Sequence, residues 1–240
     1  MLTCIVLYCI FSTQYLNSLS PFTYIQALLK EVMEHPDSDV NVETGEYYES
    51  VEQLEEVAQS LNCDTVINCT GLGSQKLCGD KDLVGARGVL LHFDRNNCPR
   101  RPSISNMEKD AIIMTDFPPW GTETHPAYVI PRGDIIAVGG TYLEGDSHPE
   151  LREQERQKIM QNALDMGIDI TRAPIIGEWT GYRPYRPVVC CEEEPRTSGS
   201  KVRVIHNYGH GGSGWTVNVG AAKEVANILL KNGNEAHSKL

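Results

Sequence analysis

The sequence lacks any excess of positive charge and any long apolar run. Its 240 residues include 21 Lys and Arg against 32 Asp and Glu, a net charge of −11. An acidic chain without a basic cluster is poorly suited to bind nucleic acid or an anionic membrane surface. No segment approaches the roughly 20 apolar residues that a bilayer-spanning helix needs. Composition therefore favours a globular protein, with enough residues for one large domain or two smaller ones.

Metal-binding and nucleophile motifs are also lacking. The eight cysteines form no C-x-x-C pair and have no histidine at zinc-like spacing, and Cys190 and Cys191 are adjacent. We interpret them as free thiols of a reducing environment and predict no metal site. No G-x-S-x-G nucleophile motif occurs either. The chemistry is therefore expected to come from a cofactor, while protein residues position and polarise the substrate.

The stretch that organises the chain is Asn207–Thr216, NYGHGGSGWT. It lies between a short strand, predicted from Val202, Val204 and Ile205, and a helix predicted over Val217–Lys231. Its glycines permit close approach of the backbone to a ligand, and the helix start offers unpaired N–H groups. The stretch is a candidate cofactor contact, although a plain chain reversal would also explain the glycines. Its G-x-G-x-x-G spacing is not a dinucleotide fingerprint, because no second strand follows the helix.

Two further stretches are candidate ligand contacts. The predicted strand Asp64–Cys69 runs directly into Thr70-Gly71, which is either a second cofactor contact or a plain turn. In the motif GYRPYRP, Arg183 directly precedes a proline, so its backbone is stiff and its guanidinium can be aimed. A guanidinium held in this way can bind a carboxylate through two parallel hydrogen bonds. A surface ion pair is the competing interpretation of this arginine.

Hydrophobic periodicity predicts helices at both ends of the chain and strands in the middle. A first helix over residues 21–35 should bury an apolar stripe made of Ile25, Leu28, Leu29, Val32 and Met33. A capping box at Ser50 should open a second helix that runs to residue 61. A third helix is predicted over 149–167 and an exposed loop over 192–200. The predicted middle strands are 88–93, 111–115, 127–131 and 134–139, of which the last two should form a hairpin.

Four motifs, in this order, resemble those of the D-amino-acid oxidases, a family of FAD-dependent peroxisomal enzymes that includes the D-aspartate oxidases. They are VINCTGLGS (66–74), PAYVIPRGDIIAVGGTYLEGD (126–146), GEWTGYRPYRP (177–187) and VIHNYGHGGSGWT (204–216). The resemblance extends from Ser20 to Leu240, and its fourth motif is highly specific. It implies FAD as the cofactor and the oxidative deamination of D-amino acids to 2-oxo acids, ammonia and hydrogen peroxide.

The resemblance also implies roles for individual residues. Arg183 corresponds to the arginine that binds the substrate carboxylate, and Tyr128 to the tyrosine that lies over the substrate. The backbone carbonyl of Gly212 would face the substrate amine. Flavin contacts are implied for Thr70, Gly71, Gly211, Gly212, Ser213, Gly214, Trp215 and Thr216.

The expected fold is α/β, with an incomplete FAD-binding Rossmann-like domain (19–86 and 200–236) and a strand-rich substrate-binding domain (87–199). The stretch 1–18 is atypical: it is apolar, has no preceding basic residue as a signal peptide would, and is expected to be disordered or loosely packed. Family members begin with a strand, a G-x-G-x-x-G turn and a helix. Nothing before Ser20 supplies them, so we expect the C-terminal two-thirds of such an enzyme, with an open sheet edge beside 64–69.

The C-terminal tripeptide Ser238-Lys239-Leu240 is the peroxisomal address SKL, which predicts an import receptor as a partner. A D-amino acid and oxygen are the other expected partners, and a homodimer is left open. Because the segment Asp116–Pro126 has no Lys or Arg, it offers no second cation except His125, and Arg132 is expected to point to solvent. Neutral D-amino acids are therefore favoured over D-aspartate. The rival class is a truncated, non-catalytic paralogue.

Overall fold

The structure is a computed structural model that describes residues 4–8, 21–97, 112–115, 121–132, 134–168, 170–195 and 201–237. The chain divides into two compact units. Unit 1 comprises Met1–Phe11, Gly45–Ala86 and Arg183–Leu240, and unit 2 comprises Ser12–Thr44 and Arg87–Tyr182. The sequence-based division, by contrast, places the first helix in the cofactor domain and residues 183–199 in the substrate domain. The mixed α/β class is as predicted.

Unit 1 is built on a mainly parallel sheet. Its order is β1 (Cys4–Tyr8), β2 (Thr65–Cys69), β9 (Arg203–His210) and then β8 (Ile175–Glu193), of which unit 1 contains the part from Arg183 onward. β1, β2 and β9 are parallel, and β8 runs antiparallel to β9.

Helices cover both faces of the unit 1 sheet. Because neighbouring strand residues point to opposite faces, Val66 packs on one side and Ile67 on the other. Val66 meets Leu54 and Ala58 of α2 (Val51–Ser60) and Leu77 of α3 (Ser74–Leu77). Ile67 meets Val225 of α5 (Gly214–His237). The predicted start of α2 is confirmed, since the Ser50 hydroxyl accepts a hydrogen bond from the Gln53 N–H.

The expectation for the N-terminal stretch is wrong for Cys4–Tyr8. These residues form β1, which pairs in parallel with β2 along its whole length, from Cys4 opposite Thr65 to Tyr8 opposite Cys69. The run CIVLY is apolar throughout, as is usual for a strand in a parallel sheet. The edge of β2 that was expected to be open is therefore occupied.

Unit 2 is built on an antiparallel sheet, whose further strands are β3 (Val84–Asp94), β4 (Ile112–Thr115), β5 (Ala127–Arg132), β6 (Ile135–Gly139) and β7 (Leu143–Glu144). The strand order is β8-β3-β6-β5-β4, and β7 also pairs with β3. The predicted hairpin is confirmed, because β5 and β6 pair from Arg132 opposite Ile135. Helix α4 (Glu153–Asp165) packs Ile159 and Ala163 against the core residues Val89, Leu91, Phe93, Val129, Ile136 and Val138.

The helix α1 (Pro21–Glu34) forms as predicted, but its apolar stripe is not buried. Leu28, Val32 and Met33 are 42%, 48% and 53% exposed, so the residues that the structure describes leave this face uncovered. The prediction of burial is wrong because periodicity shows that a helix is amphipathic without showing what covers it. Among the described helices, none is both long and apolar enough to cross a membrane.

A fully buried arginine organises the polar part of unit 2. Arg87 is 0% exposed and makes two bonds to Glu155, of 2.6 Å and 3.1 Å. Its Nε donates to the carbonyl of His148 at 2.7 Å, and a terminal nitrogen donates to the carbonyl of Glu150. The Tyr182 hydroxyl, on β8, donates to the same His148 carbonyl at 2.9 Å. The loop before α4 is therefore held by a charged, hydrogen-bonded centre.

Candidate functional site

Two glycine turns lie side by side at one edge of the unit 1 sheet. β2 ends at Cys69 and is followed by Thr70 and a 3₁₀ turn, Gly71–Gly73. β9 ends at His210 and is followed by a second 3₁₀ turn, Gly211–Ser213. Because β2 and β9 are neighbouring parallel strands, both turns follow their carboxyl ends. This is the edge where open α/β sheets bind ligands, so the structure brings the two predicted cofactor stretches together.

Glycine is required at three positions of this edge. Gly71, Gly209 and Gly211 have φ of +57°, +89° and +55°, in the left-handed region that other residues avoid. A Cβ on Gly209 would lie 2.8 Å from the Cβ of Arg186. β9 nevertheless continues as a strand to His210, so the predicted start of the loop at Asn207 is too early.

The GYRPYRP motif lies beside both turns. β8 places Tyr185 directly opposite His210, next to the Gly211 turn. Pro184 borders the other turn, because a Cβ on Gly71 would lie 3.4 Å from its Cγ. Arg183, one residue before Pro184, is half-buried in unit 1. The neighbours of the predicted carboxylate-binding arginine are thus fixed against the predicted cofactor turns.

The second arginine of the motif is committed to a structural ion pair. The Nε of Arg186 donates to Oδ2 of Asp80 at 3.0 Å, and the Tyr208 hydroxyl donates to the same oxygen at 2.9 Å. Burial alone would raise the pKa of Asp80, but the hydrogen bonds from Tyr208 and from the Asp82 N–H, together with the Arg186 charge, lower it. Sequence spacing alone does not separate the roles of Arg183 and Arg186.

Beneath the first turn lies a buried polar network that sequence reasoning missed. Its centre is Asn68, the penultimate residue of β2, which is 0% exposed. The Asn68 Oδ1 accepts from the Thr70 N–H at 3.0 Å and from the Thr70 hydroxyl at 2.8 Å. Its Nδ2 donates to the Ser74 hydroxyl at 3.1 Å and to Nδ1 of His206 at 3.2 Å. The Thr70 hydroxyl is therefore engaged within the protein and fixes the turn.

The thiols around this network are unsuited to act as nucleophiles. Burial raises the pKa of Cys69 to about 11 and that of Cys78 to about 12. A thiol with so high a pKa is almost entirely protonated at neutral pH. Among the residues that the structure describes, no three His, Cys, Asp or Glu side chains are grouped so that they could hold a metal ion.

The second turn leads into the start of α5. Gly212 and Ser213 are exposed, as are Trp215 (50%) and Thr216 in the first helical turn. The first N–H groups of a helix have no partner within it, and they attract negative charge. Exposed glycine backbone, helix-start N–H groups and an indole ring fit a ligand that combines anionic groups with flat rings.

The remaining predicted substrate residue lies in unit 2. Tyr128 is on β5, opposite Gly139 of β6, and only 9% exposed. Its ring covers the backbone of Gly139 and Gly140, where an added Cβ would come within 2.2 Å and 2.7 Å of the tyrosine. Arg183 and Gly212 belong to unit 1, so the three predicted substrate residues are divided between the units.

The profile of a family described as FAD dependent oxidoreductase matches residues 10–228. A D-amino acid oxidase of Dugesia ryukyuensis is 32% identical over 75% of this chain and 51% of its own length. A D-amino-acid oxidase of Dictyostelium discoideum is 34% identical over 69% and 43%, and human D-aspartate oxidase 29% over 75% and 47%. The chain spans about half the length of these curated relatives.

Solved structures show a similar fold. The glycine oxidase of Geobacillus kaustophilus superposes with a TM-score of 0.52 at 14% identity, over 70% of this chain and 42% of its own. The iminodiacetate oxidase of Chelativorans superposes with a TM-score of 0.50 at 18% identity, over 70% and 43%. At such low identity the likeness concerns the fold.

Proposed function

This chain belongs to the family of FAD-dependent oxidoreductases, and from that membership we propose that it carries out the oxidative deamination of D-amino acids. The products are a 2-oxo acid, ammonia and hydrogen peroxide, and neutral D-amino acids are the favoured substrates. The predicted cofactor, FAD, is confirmed by the family match. Two of the relatives described above are named for the oxidation of D-amino acids.

The observation that carries the proposal is the convergence at one edge of the unit 1 sheet. Residues 183–186 of GYRPYRP lie beside the turns at Thr70 and Gly211. A carboxylate-binding arginine is thereby combined with a cofactor-binding edge. Flavin oxidation of an amino acid needs both, because the substrate carbon has to be oriented toward the cofactor.

The chain's residues have distinct roles in this proposal. FAD, when bound, supplies the electron acceptor for the oxidation. Arg183 binds the substrate carboxylate with its planar guanidinium, and Tyr128 covers the substrate. The Gly212 carbonyl accepts a hydrogen bond from the substrate amine. The turns at Thr70-Gly71 and Gly211–Thr216 hold the cofactor.

The preference for neutral substrates rests on a shortage of positive charge before β5. His125 is half-buried, and burial lowers its pKa, so it is mostly neutral at neutral or alkaline pH. Residues 116–120 and the side chain of Arg132 lie outside the described part of the chain. D-aspartate remains the second candidate substrate, because human D-aspartate oxidase is among the relatives. A non-catalytic chain is the third candidate.

Peroxide production by the purified, FAD-loaded chain tests the proposal. D-alanine, D-aspartate and L-alanine are supplied in parallel wells, and peroxide is followed with a coupled peroxidase dye. We expect the highest rate with D-alanine and none with L-alanine. Faster turnover of D-aspartate would identify a D-aspartate oxidase. If no D-amino acid yields peroxide, the chain is non-catalytic.

The same proposal includes a peroxisomal location, with an import receptor as partner. Ser238-Lys239-Leu240 lies outside the described residues, and its role follows from the sequence alone. Because the receptor reads the free C-terminus, deletion of Leu240 should leave a fluorescent fusion in the cytosol. A fusion that remains punctate after the deletion would contradict the assignment. A homodimer stays a prediction, to be measured by light scattering.

A further inference from the structure

His206 occupies a buried position between the first cofactor turn and β8. It is 6% exposed, and its ring meets that of Tyr208 edge-on, with 5.7 Å between ring centroids. Its Nδ1 lies 3.2 Å from Nδ2 of Asn68, and its Nε2 lies 3.5 Å from Oε2 of Glu194. One ring nitrogen therefore faces the Asn68 network and the other faces a carboxylate.

The hydrogen bonds of Asn68 assign the tautomer of His206. The Thr70 N–H is a donor, so the atom of Asn68 that meets it must be the amide oxygen, as in the structure. The amide nitrogen then faces His206, whose Nδ1 has to accept. The proton of the neutral ring is therefore on Nε2, toward Glu194.

Protonation of His206 would break this arrangement. A proton on Nδ1 would put two donors 3.2 Å apart, His206 Nδ1–H and Asn68 Nδ2–H. Rotating the Asn68 amide would relieve that conflict but would point its nitrogen at the Thr70 N–H, another donor. Neither amide orientation satisfies both neighbours, so the charged ring loosens the turn at Thr70.

The surroundings of His206 favour the neutral ring. Burial lowers its pKa below the ordinary value of 6.5, although Glu194, Glu192 and Asp80 oppose the shift. Glu192 is also its register partner on β8. Within the described part of the chain, Tyr208 also faces His206 and Cys78 faces Asn68, and both stay uncharged because burial raises the pKa of each.

From this geometry we propose that His206 is a positioning residue for the cofactor turn at Thr70-Gly71, and that only its neutral form supports tight FAD binding. Acidification then weakens FAD binding by charging one buried ring. The proposal rests on FAD as the cofactor and is independent of which amino acid is oxidised.

FAD affinity measured against pH tests this proposal. FAD is titrated into the full chain from pH 8 to pH 5, and Kd is read from flavin fluorescence. For the wild-type chain Kd should be constant above pH 6.5 and then rise by up to about tenfold for each pH unit below the His206 midpoint. His206→Gln retains an acceptor that does not titrate, so its Kd should stay nearly flat. His206→Leu removes the acceptor, so its Kd should be raised at every pH.

Two control variants separate His206 from other histidines. His35, on an exposed loop, should give the wild-type profile when replaced by Gln. Burial also lowers the pKa of His210, which directly precedes the second turn. A His210→Gln variant should retain the acid weakening. If His210→Gln abolishes it while His206→Gln does not, the proposal is overturned.

Nuclear magnetic resonance provides a readout that needs no bound cofactor. In the FAD-free chain, the Thr70 amide signal should move with pH at the midpoint shown by the His206 ring, and should stay fixed in His206→Gln. A Thr70 signal that is unchanged while His206 titrates would overturn the proposal. Absence of oxidase activity would leave both measurements interpretable, because neither depends on turnover.

Discussion

The two units use opposite means to bury a polar centre. Unit 1 buries Asn68, a neutral amide whose partners are hydroxyls, a backbone N–H and a neutral imidazole. Unit 2 buries Arg87, a permanent cation whose partners are the Glu155 carboxylate and backbone carbonyls. Both side chains are 0% exposed. The amide network lies under the turn at Thr70-Gly71, which is proposed to hold the cofactor, whereas the arginine network anchors a loop.

The comparison shows what each centre can tolerate. A buried ion pair that loses one partner leaves an uncompensated charge, which destabilises the fold strongly. A neutral network that loses one bond costs less, because no charge is stranded. The Arg87 centre therefore holds unit 2 in one arrangement, whereas a single proton on His206 can perturb the Asn68 centre of unit 1.

Replacing Arg87 should have the largest effect. Arg87→Met removes the buried cation of Glu155 and leaves this carboxylate only the more exposed Arg152, so the free energy of unfolding should fall by about 3–5 kcal/mol. Urea denaturation followed by circular dichroism measures the change. Arg156→Met is the matched control: it breaks more exposed ion pairs with Glu153 and Glu178, where about 0–1 kcal/mol each is expected. Equal effects of the two variants would show that burial of Arg87 is not decisive.

Arg183→Lys should affect function and leave stability almost unchanged, in contrast to Arg87. Lysine retains the charge but loses the planar fork, and one lost charge-assisted hydrogen bond costs about 1.5–3 kcal/mol. The KM for a D-amino acid should rise by about ten- to a hundredfold, with the same flavin content and the same urea midpoint. An unchanged KM would contradict the assignment of Arg183 to the substrate carboxylate.

Asn68→Ala probes the neutral centre directly. It leaves the Thr70 N–H and Nδ1 of His206 without their partner, so the free energy of unfolding should fall by about 1–3 kcal/mol, less than for Arg87→Met. Thermal denaturation provides the measurement. Asn41→Ala is the control, because Asn41 is exposed and its amide donates to the carboxylate of the nearby Glu43, itself exposed. A loss as large as that of Arg87→Met would erase the distinction between the two centres.

Acidification should have the smallest effect on folding stability, and it should affect the Asn68 centre at a higher pH than the Arg87 centre. The pKa of His206 is lowered in the folded chain, so the unfolded chain binds the proton first and folding stability falls as pH drops below 6.5. His206→Gln should remove this loss, at most about 1.4 kcal/mol for each pH unit. Hydrogen bonds from Arg87 and Arg152 lower the pKa of Glu155 despite its burial, so its contribution is lost only below its ordinary value of 4.5. Urea midpoints measured from pH 7 to pH 4 test whether the loss of stability due to His206 comes before the loss due to Glu155.

Local patterns anticipated much of the fold. The cap at Ser50, the β5–β6 hairpin and the strand before Thr70 depend on neighbours within a few residues, and all are found. The two glycine turns were recognised because glycine has few other reasons to cluster. What the sequence could not show was the pairing of distant segments, such as β1 beside β2.

The missed site residues share one property. Asn68 and His206 are 138 positions apart, and neither belongs to a spacing pattern with the other. Their pairing depends on the parallel register that sets Asn68 opposite His206. The 19-residue strand β8 was missed because its prolines and glycines are usual in turns. Exposure of the α1 stripe was missed because amphipathicity carries no information about the covering partner.

The contact of Tyr128 with Gly139 and Gly140 restricts the order in which substitutions can accumulate. A methyl group at Gly139 overlaps the tyrosine ring, so alanine there is excluded while the ring is present. Once a smaller residue replaces Tyr128, the same alanine becomes acceptable, and it then obstructs the return of tyrosine. To acquire alanine at position 139, a lineage has to replace Tyr128 first. To regain the tyrosine, it has to restore Gly139 first. Loss of Tyr128, a residue proposed to cover the substrate, therefore becomes hard to reverse once Gly139 has changed.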